Sequence, residues 1–511
     1  MTASTLARDP PSGVAPGVLG FLAVYFLLQA LLRLFAVSSL GVDDAEMVVI
    51  TQDLAWGYGT QPPLFNWLQI GAFGVLGFGA PAIVILHFLL LYAAYVLVFF
   101  SGRLVFASDM KAAAVTFALF AIPQIGWEAL HSHSHTLLSL AVAALTLLAM
   151  LRIFAAGGWG DYALFGVALA LGMLAKYSYL PIAVAFLAAG ASLPALRSRV
   201  LSLRMLAALA LALVLTAPHL HWVVNHPEET LARTFKFGIA AEAGLLQTWG
   251  RGLLEMVVSV LSYVALAVVV FAGAVFFPVR GRDAAVAVRP GIPHGRAFVV
   301  RTLAIALALV LVAVLASRAT EVKERWLQPI LFMAPFALMV FAEPRLTVFR
   351  ERLVILFSAA IGVIFLVALA VAYLVPTVSG TPFRALAPFE ALADDIRDLG
   401  FTEGTILAED FYIAGNLRLH LPGAMAAEPE YGLWPRPAGQ AAAPVVVAWS
   451  GRRERPPRAL RMLFEELCGP EATLETTPVR LAERYQHGSR TRYALSVIKV
   501  ESCPAADAPD G

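Results

Sequence analysis

The chain has 511 residues, 59% of them hydrophobic and 14% charged, with a mean hydropathy of +0.77. A soluble globular protein carries about 25% charged residues, so most of this chain is built to face lipid, and a net charge of +2 gives no reason to expect a nucleic-acid partner. Two cysteines, Cys468 and Cys503, lie near the C-terminal end. They would pair only in an oxidising compartment, which their spacing alone leaves open.

The first apolar run, Val14 to Val37, is too long for the core of a secretory signal, and no clean small-residue cleavage site follows it. It is read as a retained span after a short cytoplasmic tail, residues 1–14. Runs long enough to cross a bilayer then recur. The predicted spans are 15–38, 81–101, 112–127, 130–150, 161–175, 179–196, 204–222, 252–277, 299–317, 326–342 and 353–376, about eleven in all. The apolar segment 62–79 opens on Pro62-Pro63 and closes on Gly77, Gly79 and Pro81, which predicts a helix lying at the interface.

With the N-terminus inside, the cytoplasmic loops hold fourteen Arg and Lys against seven outside, five of the fourteen between Arg280 and Arg301. That asymmetry obeys the positive-inside rule. It places 377–511 outside the cell membrane. There "APVVVAWS" (443–450) reads as a buried strand and "RALRMLFEELC" (458–468) as an amphipathic helix, predicting a small C-terminal extracytoplasmic α/β domain. The expected fold is therefore an α-helical polytopic membrane protein, 15–376, followed by that domain.

Ionisable groups gather in the outer connections. "GVDDAEMVVITQD" carries Asp43, Asp44, Glu46 and Asp53 with no Lys or Arg; "PQIGWEALHSHSH" carries Glu128, His131, His133 and His135; "LAKYSYLP" carries Lys176; "APHLHWVVNHPEE" and "RATEVKERWLQP" follow, the latter with Arg325. Charge near a membrane is costly and tends to be functional, so five clusters at one depth predict one site at the outer boundary. On a helix Asp43 and Glu46 share a face while Asp44 points elsewhere. A carboxylate at a low-dielectric boundary can serve as a general base, and Lys176 and Arg325 are the cations suited to an anionic substrate. Plainer readings stand beside these. Asp53 reads as well as a solvated loop acid, Lys176 as a snorkelling helix end, and Arg325-Trp326 as an interfacial anchor. Tyr58, Trp67 and Trp127 fit interface-belt aromatics better than sugar platforms. The alternating histidines leave a divalent metal open, with helical packing or substrate hydrogen bonding the heavier reading.

The stretch "DDAEMVVITQDLAWGYGTQPPLFNWLQ" resembles the first outer loop of GT-C glycosyltransferases of the family 39 type, which include protein O-mannosyltransferases and lipid A aminoarabinose transferases. The shared pattern is an acidic pair, Gly57-Tyr58 after fourteen positions, Pro62-Pro63 and an aromatic-rich helix. In that register Asp43 takes the place of the catalytic aspartate, Asp44 stands where Glu is common, and Glu46 replaces an aromatic. "PQIGWEALHSHSH" resembles a second outer segment where many members carry Asp; here His133 or His135 stands, and Glu128 is the nearest carboxylate. "GMLAKYSYLPI" and "ERWLQPILF" resemble the segments that imply phosphate contacts for Lys176 and Arg325. The resemblance implies an inverting transferase of the bacterial inner membrane with its site facing the periplasm. It would take a polyprenyl-phosphate-linked sugar and pass the sugar to an envelope glycan or glycolipid of the lipopolysaccharide class. Tyr58, Glu128 and the histidines are expected to line the substrate. The competing class is a flippase for a lipid-linked anionic glycan, which would need polar residues deep in several spans; His87 and Glu255 are exceptions in apolar runs otherwise poor in them.

Overall fold

The computed structural model describes residues 13–132, 134–232, 238, 244–278, 291–376, 382–430, 443–469, 474, 477–501 and 503. His133 and residues 279–290, the first half of the Arg280–Arg301 stretch, lie outside the described residues. The helices, in chain order, are α1 (Val14–Ala36), α2 (Val42–Ile50), α3 (Leu64–Leu76), α4 (Ala80–Phe106), α5 (Asp109–Phe117), α6 (Pro123–Gly126), α7 (Ser134–Ala155), α8 (Trp159–Ala175), α9 (Leu180–Ser192) and α10 (Pro194–Val200). They continue with α11 (Leu203–Asn225), α12 (Pro227–Leu231), α13 (Leu245–Phe276), α14 (Gly295–Ser317), α15 (Glu324–Leu331), α16 (Ala334–Ala342) and α17 (Val348–Leu374). Three more, α18 (Phe389–Asp398), α19 (Phe411–His420) and α20 (Arg458–Cys468), alternate with strands β1 (Gly404–Ala408), β2 (Ala424–Ala427), β3 (Val445–Ser450), β4 (Val479–Arg484) and β5 (Arg492–Val500).

Among the described residues seven helices are long and apolar enough to cross a membrane: α1, α4, α7, α11, α13, α14 and α17. Two further predicted spans are bent. The segment predicted as 112–127 turns by 84° before Pro123, and that predicted as 326–342 turns by 54° between α15 and α16. The first bend has a plain cause. Ile122 before the proline is extended (φ −105°, ψ 107°), as the clash with a following proline ring demands. The runs predicted as 161–175 and 179–196 are the shorter helices α8 and α9. Each of the eleven predicted runs thus falls on a helix or a helix pair, with seven long enough to span alone.

The chain divides into two compact units. The first comprises Met1–Leu28, Phe88–His221 and Arg233–Phe365. Its most enclosed span is α7, with 83% of its apolar window buried; α7 packs on α8 and α15, and α9 packs on α14. The second comprises Gln29–His87, Trp222–Ala232 and Leu366–Gly511. It holds a five-stranded mixed sheet in the order β2-β1-β3-β5-β4. β1 pairs in parallel with β2 and β3, while β5 runs antiparallel to β3 and β4. "GTILA" and "VVVAWS" are near-continuous apolar runs because β1 and β3 are central and covered on both faces. Asp410 begins α19, its carboxylate accepting from the Ile413 N–H at 2.9 Å. Cys468, the last residue of α20, is disulfide-bonded to Cys503, which settles the pairing the sequence left open.

Candidate active site

The acid-bearing loop lies wholly in the second unit. α2 has nine residues, starts after Gly41 without a side-chain cap, and carries Asp43 and Asp44 in its first turn. Acids there favour the positive end of the helix dipole. Asp44 is buried, whereas Asp43 and Glu46 are half-buried, so the shared face expected of them is the more open face of this helix. The acidic stretch holds no Lys or Arg of its own, and the counter-charge of Asp44 comes from an earlier helix. Arg33, in the last turn of α1, donates to its Oδ2 at 2.7 Å, and both side chains are only 6% exposed. The partner was hidden because it lies eleven residues before Asp44 and belongs to a membrane helix. Asp44 is thus the anchor of α2 on α1, which leaves Asp43 and Glu46 as the acids on the open side.

Tyr58, expected against substrate, is fully buried. Its hydroxyl donates to the Asp53 carbonyl at 2.7 Å and accepts from the Ala55 N–H at 3.0 Å. Burial pushes the phenol up to about 12. Tyr58 therefore shapes its own loop, as does Trp67, whose indole N–H donates to the Ala55 carbonyl at 2.8 Å while its ring meets Trp56 edge-on. Gly57 is required by close approach: a Cβ there would lie 2.0 Å from the ring of Trp222, which stacks on His226 at 4.7 Å.

The cation-bearing segments lie in the first unit. α8 ends at Ala175, and Lys176 after it is extended (φ −166°, ψ 135°) before the tight turn Tyr177–Tyr179. The break turns a membrane helix into a helix–turn–helix and leaves Lys176 half-buried at the corner. Its Nζ donates to the Thr136 hydroxyl at the start of α7. Gly172 makes the corner possible, since a Cβ there would sit 2.2 Å from the Tyr179 ring; the Tyr179 hydroxyl in turn meets the Thr146 hydroxyl at 2.6 Å. Tyr177 stacks on His219 and shares a 3.1 Å hydrogen bond with its Nε2.

Arg325 is the second residue of α15 and half-buried. Its neighbour Glu324 accepts from Gln124 and from the Ser262 hydroxyl, which ties the start of α15 to α6 and α13. Glu128 pairs with His131 at 3.6 Å, and Trp127 meets the same imidazole edge-on. His135 is buried in the first turn of α7. Among the described residues no three His, Cys, Asp or Glu side chains gather to hold a metal. Sequence reading missed three buried amides: Asn66 and Gln69, one turn apart on α3, and Gln328 on α15. Each is fully buried with no hydrogen-bond partner among the described residues. The signal was available, because an amide inside an otherwise apolar helix costs stability unless something binds it.

This arrangement has known relatives. Residues 60–222 match the family model described as dolichyl-phosphate-mannose-protein mannosyltransferase. The lipopolysaccharide core galacturonosyltransferase RgtB of Rhizobium johnstonii is 30% identical over 486 residues, covering 92% of this chain and 96% of that protein. RgtA of the same organism, also a lipopolysaccharide core galacturonosyltransferase, is 30% identical over 437 residues, covering 84% and 86%. Crystal structures of ArnT from Cupriavidus metallidurans, one bound to undecaprenyl phosphate and one apo, each superpose with a TM-score of 0.60 at 14% identity. They cover 94% and 95% of this chain and 98% of theirs. The fold is thus that of a multi-pass GT-C membrane glycosyltransferase. The chain belongs to the family 39 type of these enzymes, alongside the RgtA and RgtB transferases.

Proposed function

We propose that this glycosyltransferase moves a sugar from a polyprenyl-phosphate donor to lipopolysaccharide on the periplasmic face of the inner membrane, with a hexuronate such as galacturonic acid as the first sugar to test. The observation that carries this reading is the near full-length likeness to two lipopolysaccharide core galacturonosyltransferases. A lipid-linked donor is supported by the undecaprenyl phosphate in the ArnT structure of the same fold. The outward orientation is supported by the arginine asymmetry of the loops and by the Cys468–Cys503 disulfide, a bond that persists in oxidising compartments.

In the proposed reaction Asp43 accepts the proton of an acceptor hydroxyl, whose oxygen attacks the anomeric carbon. The bond from that carbon to the phosphate oxygen breaks, the configuration inverts, and polyprenyl phosphate departs with the electron pair. Lys176 and Arg325 are assigned to the phosphate, where charge develops in the transition state. Support for Asp43 as base comes from α2: Asp44 is committed to Arg33, while Asp43 and Glu46 occupy the more open face. Glu128 and His131, His133 and His135 are assigned to substrate binding. Mass spectrometry of lipopolysaccharide from a strain lacking this chain tests the proposal. The expected result is a core short of one hexuronate, restored by the wild-type chain. Unchanged lipopolysaccharide with an altered glycoprotein pattern would overturn the acceptor assignment.

A further inference from the structure

The C-terminal α/β domain holds the helix that bears Asp43 before its start, along its length and beyond its end. α2 is too short to be stable by itself, since isolated helices under about twelve residues are marginal in water, so its position is set by what it packs against. Its inner side, Ala45 and Val48, joins Leu40 and Ile83 in an apolar cluster, with Leu419 of α19 packed against it. At the helix start, Gly415 of α19 comes so close that a Cβ there would lie 2.1 Å from the Ala45 carbonyl oxygen. Ala45 sits between Asp44 and Glu46, so this contact bears on the acidic turn itself. Just before the helix, Asn416 is fully buried and takes both backbone groups of Leu40. Its Oδ1 accepts from the N–H at 2.7 Å and its Nδ2 donates to the carbonyl at 3.3 Å. Near the helix end, Arg418 donates to the Val48 carbonyl at 2.5 Å, a cation at the negative end of the dipole. Beyond it, Gln52 pairs with both backbone groups of Ala426 on β2, at 2.7 and 2.8 Å.

We infer that α19 is the positioning element of the catalytic acid, with Gly415, Asn416 and Arg418 as positioning residues that act through α2. The C-terminal domain is then a part of the catalytic machinery. The inference rests on the reading of Asp43 as base. Catalytic groups displaced by about 1 Å can cost a hundredfold in rate, and a Cβ at Gly415 forces a shift of that order.

The test compares purified full-length Gly415→Ala, Asn416→Ala, Arg418→Met and Arg418→Lys with Asp43→Asn, assayed with a polyprenyl-phosphate hexuronate donor and lipopolysaccharide. The expected result is a fall in kcat of about tenfold or more for the first three, with donor KM within about twofold and unchanged monodispersity. Arg418→Lys, which keeps a donor for Val48, should recover most of the rate. Arg418→Met keeps the test open if the buried changes prevent folding. Wild-type kcat in these variants beside an inactive Asp43→Asn would overturn the inference and leave the base assignment standing. An active Asp43→Asn would remove the base assignment and the inference with it. Loss of activity only in proportion to loss of folded protein would also overturn it, by reducing the contacts to a structural role.

Discussion

The acid-bearing helix and the lysine corner are built in opposite ways. The backbone corner at Lys176 is built locally: α8 stops, one extended residue follows, and Gly172, four residues back, makes room for the Tyr179 ring, while the ammonium itself reaches Thr136 of α7. Asp43 is placed from afar, its helix held by Arg33 of α1 at Asp44 and by α19, some 370 residues along the chain, at Ala45 and Val48. A locally built site tolerates change elsewhere in the chain. A site assembled at long range is sensitive to every element that holds it, and the predictions test that contrast.

The largest effect is expected at Arg33. Removing one partner of a buried ion pair costs about 3–5 kcal/mol, because the other charge is left unpaired. Arg33→Met should therefore sharply lower the yield and melting temperature of purified protein, and Arg33→Met with Asp44→Leu should restore much of the loss. Next comes the Cys468–Cys503 bond. Cys468→Ser should cost the C-terminal domain about 2–4 kcal/mol, read as a lower melting temperature that reductant reproduces in the wild type. If α2 depends on that domain, transfer activity should fall alongside it.

Lys176→Met breaks the comparison from the other side. A hydrogen bond to a charged group is worth about 1.5–3 kcal/mol, so kcat/KM for the donor should drop about ten- to a hundredfold while the melting temperature stays near wild type. A large loss of stability there would show that the corner is not locally built.

The smallest effect is a pH dependence. His420 of α19 meets the Ser38 carbonyl at 3.0 Å, and burial lowers its affinity for a proton below the ordinary histidine range. Above about pH 6.5 the residue is neutral whether folded or not. As pH falls below that, the unfolded chain takes up a proton that the folded chain refuses, so stability is lost on the acid side. His420→Gln should flatten the melting temperature between about pH 6.5 and pH 5. Asp410, raised by burial above its ordinary value, works in the opposite sense, its contribution lost as pH rises through that raised value.

The membrane architecture was legible because spans are set by hydropathy and length, which are local properties. Pro123 was visible as well, but the sharpness of the bend it begins was not. Strand β3 and helix α20 were read almost to the residue, because a continuous apolar run and an amphipathic period are also local. What stayed hidden was pairing across distance. The partner of Asp44 was concealed inside an apolar helix. Tyr58 looked available because nothing in its own loop reveals that the ring is enclosed. Gly415 and Asn416 occupy an unremarkable stretch, "FYIAGNLRLH", whose glycine gains meaning only against Ala45.

The most direct measurement is the turnover of purified Asp43→Asn with a polyprenyl-phosphate sugar and lipopolysaccharide. The assignment of Asp43 as base predicts a folded protein whose kcat falls by about a hundred- to ten-thousandfold. Turnover equal to wild type would contradict it.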